Sequence, residues 1–158
     1  MKIYKKIIVI VLLVFVAFRL LVVPIMQMNA KEEYSMYFKN TTDSYLVEYD
    51  GVLQDVEYYD QIEGIVIGDM GYAYILDKSG TILVHPNPDV IGSNISNFNI
   101  PEITASIGGL KYPGEEETIE YEFEGVTKIV RFYKDDNNKI IAFTDTYSTP
   151  SWIQLVIN

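Results

Sequence analysis

The 158-residue sequence predicts an α+β fold with an N-terminal transmembrane helix, a long amphipathic helix and a five-stranded antiparallel sheet. Three observations predict this fold. An apolar run fills residues 7–26, a helical apolar stripe follows over 31–63, and the hydrophobic pattern changes to a period of two after Gly64. Helices that precede a run of strands are typical of α+β proteins.

Charge divides the chain into a basic tip and an acidic body. Residues 1–30 contain 4 basic side chains and no acidic one, whereas the rest of the chain contains 8 basic and 22 acidic side chains. This acidity argues against nucleic acid as a partner. The absence of Cys and the single His exclude a disulfide scaffold, a cysteine nucleophile and a multi-histidine metal site, and we expect no cofactor.

Residues 7–26 have the length that a helix needs to cross a membrane, which is about 20 apolar residues. Three lysines flank the near end of this run: Lys2, Lys5 and Lys6. The positive-inside rule therefore predicts a cytoplasmic tip at residues 1–6 and an extracytoplasmic position, outside the cell membrane, for residues 31–158. A cleaved signal peptide is the alternative, with 28–30 as its cleavage site, and it would export the same residues.

Residues 31–63 are predicted to form the long helix of the exported body. Aromatic and aliphatic residues recur there at steps of three and four, with one step of a full heptad: Tyr34, Phe38, Tyr45, Tyr49, Val52, Val56 and Tyr59. This spacing gives one apolar stripe, which is typical of a helix that packs on a sheet. Asp50 and Gly51 form a candidate break, and the helix could follow the membrane span with little interruption.

Alternating segments after Gly64 predict about five antiparallel strands. The segments are 72–76, 81–85, 118–123, 126–133, 140–146 and 152–157. Between the first two we expect a turn at 77–80, in which Asp77 caps the turn and Gly80 takes a positive φ. A short helix is predicted at 101–107, with Pro101 at its start and two glycines at its end.

Two neighbouring segments carry a composite motif. Residues 68–87 read GDMGYAYILDKSGTILVHPN, and residues 90–94 read VIGSN. Together they resemble a Cache domain, the extracytoplasmic PAS-like sensor module of bacterial chemoreceptors and histidine kinases, in its single-module form. The resemblance extends over residues 64–158, which it identifies as the sensor domain, and it implies a PAS-like arrangement of the predicted sheet.

The resemblance implies a small-molecule sensor in signal transduction or chemotaxis, and not an enzyme. Cache domains bind metabolites between the sheet and the loop and helix after the His-Pro strand, so the expected ligand is an organic acid, an amine or a similar metabolite. The amino-acid-binding versions carry an Arg-x-Trp-Tyr element there, but residues 86–112 contain no Arg or Trp. We expect no output domain in this chain. The signal would then pass through a homodimer or to a signalling partner, or the chain would be the front part of a longer receptor.

Six residues are the candidate ligand-binding residues: Tyr72, Tyr74, His85, Arg131, Tyr133 and Asp145. A mid-strand Arg can clamp a carboxylate with its planar guanidinium, and a Tyr hydroxyl can present a polar tip to a ligand. An inward-facing Asp145 would need a partner for its charge. The structural alternatives are core packing for the tyrosines, a backbone bond for His85 and a surface ion pair for Arg131.

No catalytic or metal-ligating residue is predicted, because the sequence has no nucleophile motif and its acidic run lacks the spacing of a calcium loop. The alternative for the whole chain is a structural or interaction protein. Such a protein would keep the Cache fold, bind no ligand and act through a partner or a dimer.

Overall fold

The structure is a computed structural model that describes residues 2–49 and 59–147. Within these residues the chain divides into two compact units, 2–37 and Phe38–Tyr147. The strand predicted at 152–157 lies outside the described residues, as does the candidate helix break at Asp50 and Gly51.

The N-terminal unit is helical. Helix α1 spans Lys2–Ala17, a π-helical segment spans Phe18–Val22, and α2 spans Val23–Tyr49 and continues into the second unit. In the π-helical segment a backbone N–H donates to a carbonyl five residues earlier, which widens the turn. Pro24, which has no N–H to donate, is the second residue after this widened turn.

The helix over Lys6–Glu48 contains a stretch that is long and apolar enough to cross a membrane, by length and composition. The apolar side chains of α1 are exposed, including Leu13 and Val14. Exposing them to water costs about 25 cal/mol for each Å² of apolar surface, and a lipid environment removes this cost. The composition of the segment therefore suits a lipid environment better than water.

A six-stranded antiparallel sheet lies in the described part of the second unit, which confirms the predicted α+β class. The short helix α3 (Tyr59–Glu63) precedes the sheet. In chain order the strands are β1 (Val66–Ile67), β2 (Gly71–Leu76), β3 (Ile82–Val84), β4 (Glu116–Phe123), β5 (Val126–Lys134) and β6 (Ile140–Thr146). Their spatial order is β1-β2-β6-β5-β4, and β3 pairs with β2 outside this path. The predicted count of five is wrong, because β1 adds a strand before the first predicted segment, and its two residues are too short a run to show a sequence pattern.

The sheet has two faces of different character. Val130 and Phe132 of β5 point to the first face, where they join the main apolar cluster, and we call it the cavity face. Arg131 points to the other face, because neighbouring residues of a strand alternate. We call this the helix face, since α2 packs there: the ring of Tyr45 stacks on Phe143, with centroids 6.2 Å apart.

The turn between β2 and β3 has the predicted chemistry. Asp77 Oδ1 accepts hydrogen bonds from the backbone N–H groups of Ser79 and Thr81, each at 2.8 Å. Gly80 has φ +83°, a conformation that side-chain-bearing residues rarely adopt. The turn therefore pairs β3 with the end of β2, and it brings the residue that follows β3, His85, close to Tyr74.

The segment between β3 and β4 covers the cavity face. It contains two 3₁₀ turns, Pro88–Val90 and Ile95–Phe98, and then α4 at Pro101–Gly109. Asn87 and Asn94 stabilise the two 3₁₀ turns, because each side chain accepts a hydrogen bond from the backbone N–H two residues later. Helix α4 begins at its proline and ends at its two glycines, as the sequence predicts.

Candidate ligand-binding cavity

A cavity of about 250 Å³ lies between the cavity face and the segment that covers it. The covering wall is aliphatic and aromatic: Val90, Ile95, Phe98, Ile100 and Ile103. The sheet contributes three tyrosines, two from β2 and one from β4: Tyr72, Tyr74 and Tyr121. A concave, mostly apolar space with a few polar groups is the usual form of a small-molecule site.

Three of the predicted site residues line this cavity together: Tyr72, Tyr74 and His85. The ring centroid of His85 lies 5.0 Å from that of Tyr72 and 5.7 Å from that of Tyr74. The two tyrosines are two positions apart on β2, so both side chains point to the same face. Strand β2 and the residue after β3 therefore place three rings with polar atoms opposite the apolar wall of the covering segment.

The tautomer of His85 follows from one hydrogen bond. The backbone N–H of Asn87 donates to His85 Nδ1 at 2.9 Å, so in the neutral ring the proton is on Nε2. Burial lowers the pKa of His85, and Lys128 lowers it further, against the opposing effects of the Asn87 bond and Glu63. The ring is therefore neutral at pH 7 and offers its Nε2–H as a donor.

The tyrosines of the cavity are neutral donors as well. Burial raises the pKa of Tyr72 and Tyr74, and it raises the pKa of Tyr121 to about 12. Within the part of the chain that the structure describes, no residue hydrogen-bonds the hydroxyl of Tyr72 or Tyr74. These two hydroxyls are therefore available to a bound molecule.

Lys128 lines the cavity, although the sequence prediction does not include it. Its Nζ lies 5.8 Å from the ring centroid of Tyr72 and 5.7 Å from that of Phe123. Among residues 2–49 and 59–147, no carboxylate lies within ion-pair distance of this ammonium. The available signal was strand alternation, which puts Lys128 opposite Tyr121 on the apolar face.

Arg131 lies on the helix face and does not line the cavity. It is only 3% exposed, and its guanidinium donates to Thr42 Oγ1 at 2.7 Å and contacts Asp43 Oδ1 at 2.6 Å. It also pairs with the carboxylate of Glu116. A hydrogen bond from Lys39, together with Arg131, lowers the pKa of Asp43. Arg131 is thus a link between α2 and the sheet.

Tyr133 and Asp145 also belong to the helix face, so the structure does not bring them to the cavity. Asp145 is 5% exposed, and its Oδ1 accepts from the backbone N–H of Thr146 at 2.7 Å. A Cβ on Gly68 would lie 2.5 Å from Asp145 Oδ2, so the motif glycine permits this close approach. Ligand contact by Arg131, Tyr133 or Asp145 remains a prediction.

The described residues contain no group of three His, Asp or Glu side chains placed to hold a metal ion. The cavity is suited to binding a small molecule, because its apolar wall faces several neutral hydrogen-bond donors and one cation, Lys128. Such a set can orient one polar end of a small molecule and desolvate the remainder.

Comparison with known sequences gives one chemoreceptor. No protein-family model matches the chain. The methyl-accepting chemotaxis protein McpG of Pseudomonas putida is 31% identical over 71 residues, which are 45% of this chain. The match spans only 10% of the length of that receptor.

Solved structures with a similar fold are sensor domains. A Cache chemosensory domain, described for its recognition of carboxylic acids, has a TM-score of 0.51 and 19% identity, over 77% of this chain and 96% of its own. A periplasmic sensor domain of a chemotaxis protein has a TM-score of 0.50 and 12% identity, over 78% of this chain and 96% of its own. Similarity at these identities establishes fold alone. The chain therefore has the fold of a Cache sensor domain, as its sequence motif indicated.

Proposed function

We propose that this chain is a membrane-anchored, extracytoplasmic module that senses a small molecule for signal transduction. The observation that carries the proposal is the apolar cavity, into which Tyr72, Tyr74 and His85 bring polar atoms. A cavity of this kind suits an organic acid, an amine or a similar metabolite. In this proposal the chain binds its ligand without changing it chemically.

The sheet connects the proposed ligand site to a helix. Lys128 and Arg131 lie three residues apart on β5, and their side chains point to opposite faces. A ligand that prefers one of two packings of the sheet against Phe38–Tyr49 would shift the population towards that packing. The signal would then pass to a signalling partner or to a second copy of the chain.

We also propose that the N-terminal helix anchors the chain, with residues 1–6 in the cytoplasm. The length and apolar composition of the helix over Lys6–Glu48 support the anchor. The lysines at the near end support the orientation through the positive-inside rule. The anchor would hold the cavity outside the cell, where it can sample external metabolites.

The binding proposal is tested by thermal melting of the full chain in nanodiscs against a library of organic acids, amines and amino acids. A ligand at 100 times its Kd should stabilise the folded state by about 2.7 kcal/mol and raise the Tm accordingly. Val90→Trp, which fills the cavity, should abolish the shift. Val66→Trp, at an exposed position of β1, should retain it.

A library without any stabilising compound would contradict the sensor proposal and favour the structural alternative. A shift that persists in Val90→Trp would contradict the cavity as the site. Either result would be visible in the same set of melting curves, with Val66→Trp as the matched control.

The orientation is tested by cysteine labelling, because the natural sequence has no Cys. Lys78→Cys, at an exposed turn, should react with a membrane-impermeant maleimide in intact cells. Lys2→Cys should react only after the membrane is permeabilised. The opposite pattern would contradict the proposed orientation.

A further inference from the structure

We infer that the cavity selects a small monocarboxylate with an apolar body, and that Lys128 and the donors around it hold the carboxylate. The inference deepens the proposed sensing function and rests on it. It names the ligand class from the charges, donors and walls of the cavity.

The charge of the cavity comes from one side chain. Lys128 is the only lining residue in the described part of the chain that is charged at pH 7, because His85 is neutral there. No described carboxylate neutralises the ammonium within ion-pair distance. A single cation in an apolar, partly enclosed space favours one negative charge on the ligand, since electrostatic interactions are stronger where water is excluded.

Hydrogen-bond donors cluster near Lys128 at one end of the cavity. The rings of Tyr72, Tyr74 and His85 lie with centroids 5.0 to 6.2 Å apart, and the Nζ of Lys128 lies 5.8 Å from the Tyr72 centroid. Two hydroxyls and the Nε2–H of His85 can donate, and an ionised carboxylate only accepts. An oxygen-rich anion therefore matches what this end of the molecule offers.

The described lining of the cavity contains no acidic side chain. No Asp or Glu of the described chain lines it, so the ammonium of an amine or an α-amino acid would be buried without a counter-charge. A second carboxylate would face the aliphatic wall formed by Val90, Ile95 and Ile103, where it would be desolvated without a partner. The cavity should therefore reject amines, amino acids and dicarboxylates.

The net negative charge of the protein makes anion binding depend more strongly on Lys128. The rest of the body carries many more acidic than basic side chains, and its field opposes the approach of any anion. Anion binding then depends on the local cation in the cavity. Removing that one charge should abolish the preference for carboxylates over neutral analogues.

The test measures the Kd of the full chain in nanodiscs by calorimetry for five probes. They share a phenyl or short aliphatic body and differ in charge: phenylacetate, phenylacetamide, phenethylamine, L-phenylalanine and succinate. We expect phenylacetate to bind at least about tenfold more tightly than each of the others. This is the factor in affinity that one charge-assisted hydrogen bond contributes.

Lys128→Met should weaken phenylacetate binding by at least about tenfold and leave phenylacetamide binding within about twofold. Lys128→Arg, which keeps the charge, should restore most of the affinity. Lys78→Met is the matched control, because Lys78 lies in the exposed turn after β2, and it should leave every Kd unchanged.

Three results would overturn the inference. Phenethylamine or L-phenylalanine could bind more tightly than phenylacetate and lose that binding in Val90→Trp, in which case sensing stands and the ligand class is wrong. Alternatively, phenylacetate could fail to bind, or bind equally to wild type and Lys128→Met. The metabolite library then decides the sensing function separately.

Discussion

The two faces of the sheet differ in how they are filled. On the helix face, α2 buries Phe38 and Thr42, and Tyr45 stacks on Phe143, so the protein's own side chains occupy the space. On the cavity face, the covering segment leaves about 250 Å³ open. Protein interiors are close-packed, so a space of this size favours the cavity face as the one adapted to bind a molecule.

Two cations on β5 show what this difference means. Arg131 clamps carboxylates, as its sequence position suggested, but they belong to Asp43 and Glu116 of the same chain. Lys128 faces aromatic rings and has no described carboxylate partner. The same type of charge thus stabilises the fold on one face and is available to a ligand on the other.

The largest expected effect is on the helix face. Arg131→Met should lower the free energy of unfolding by about 3 kcal/mol, because it removes charge-assisted bonds to two carboxylates and leaves the buried hydroxyl of Thr42 without its donor. Urea unfolding of the full chain in detergent measures it. A loss below about 1 kcal/mol would show that Arg131 is not the main link between α2 and the sheet.

The cavity face should respond in the opposite way. Lys128→Met should change the free energy of unfolding by less than about 1 kcal/mol, because it removes only cation–π contacts and buries more apolar surface. The same urea titration measures it beside Arg131→Met. Equal losses in the free energy of unfolding for the two variants would contradict the distinction between a structural cation, Arg131, and a binding cation, Lys128.

Lowering the pH should weaken the fold through His85. Burial lowers the folded-state pKa of His85 below its ordinary value of 6.5, so the unfolded chain binds a proton more readily. Stability is therefore complete above pH 6.5 and falls as the pH drops towards the folded-state pKa, with an effect smaller than that of Arg131→Met. Glu63 and Lys128 act on this ring with opposite signs.

Melting curves between pH 7.5 and pH 5 measure this dependence. His85→Gln should flatten the curve over this window, while the contribution of Asp43, whose pKa is lowered, is lost only below about pH 4. An unchanged slope in His85→Gln would assign the dependence to another group.

The smallest effect is expected at the edge of the helix face. Tyr45→Phe should cost at most about 0.5 kcal/mol, since its hydroxyl donates to the Val66 carbonyl at a long 3.3 Å in an exposed setting. Tyr45→Ala should cost more, because the ring stacked on Phe143 is lost as well. Equal effects of the two variants would mean that the ring contributes nothing.

Local chemistry could be predicted from the sequence, and long-range packing could not. The turn at Asp77 and Gly80 and the helix that begins at Pro101 depend on nearby residues, and the structure contains both. Alternation also placed Tyr72 and Tyr74 on one face. The two-residue strand at Val66–Ile67 is not predicted from the sequence, because it is defined only by its pairing with β2.

Strand alternation alone does not identify which face of the sheet carries the ligand site. The pattern of β5 separates Lys128 from Arg131, but it does not say which face receives α2 and which receives the segment before α4. That assignment comes from contacts between distant residues, such as Arg131 with Thr42. By sequence pattern alone the mid-strand Arg131 is therefore the better clamp, and Lys128 is not among the predicted site residues.

The most direct test of the cavity as the sensing site is the position of a bound ligand. The library compound that raises the Tm most, labelled with ¹³C, should show nuclear Overhauser contacts to the ring protons of Tyr72 and Tyr74 in the full chain. It should show none to Tyr45 or Phe143 on the helix face. Contacts confined to the helix-face rings, or none at a saturating concentration, would contradict the cavity as the sensing site.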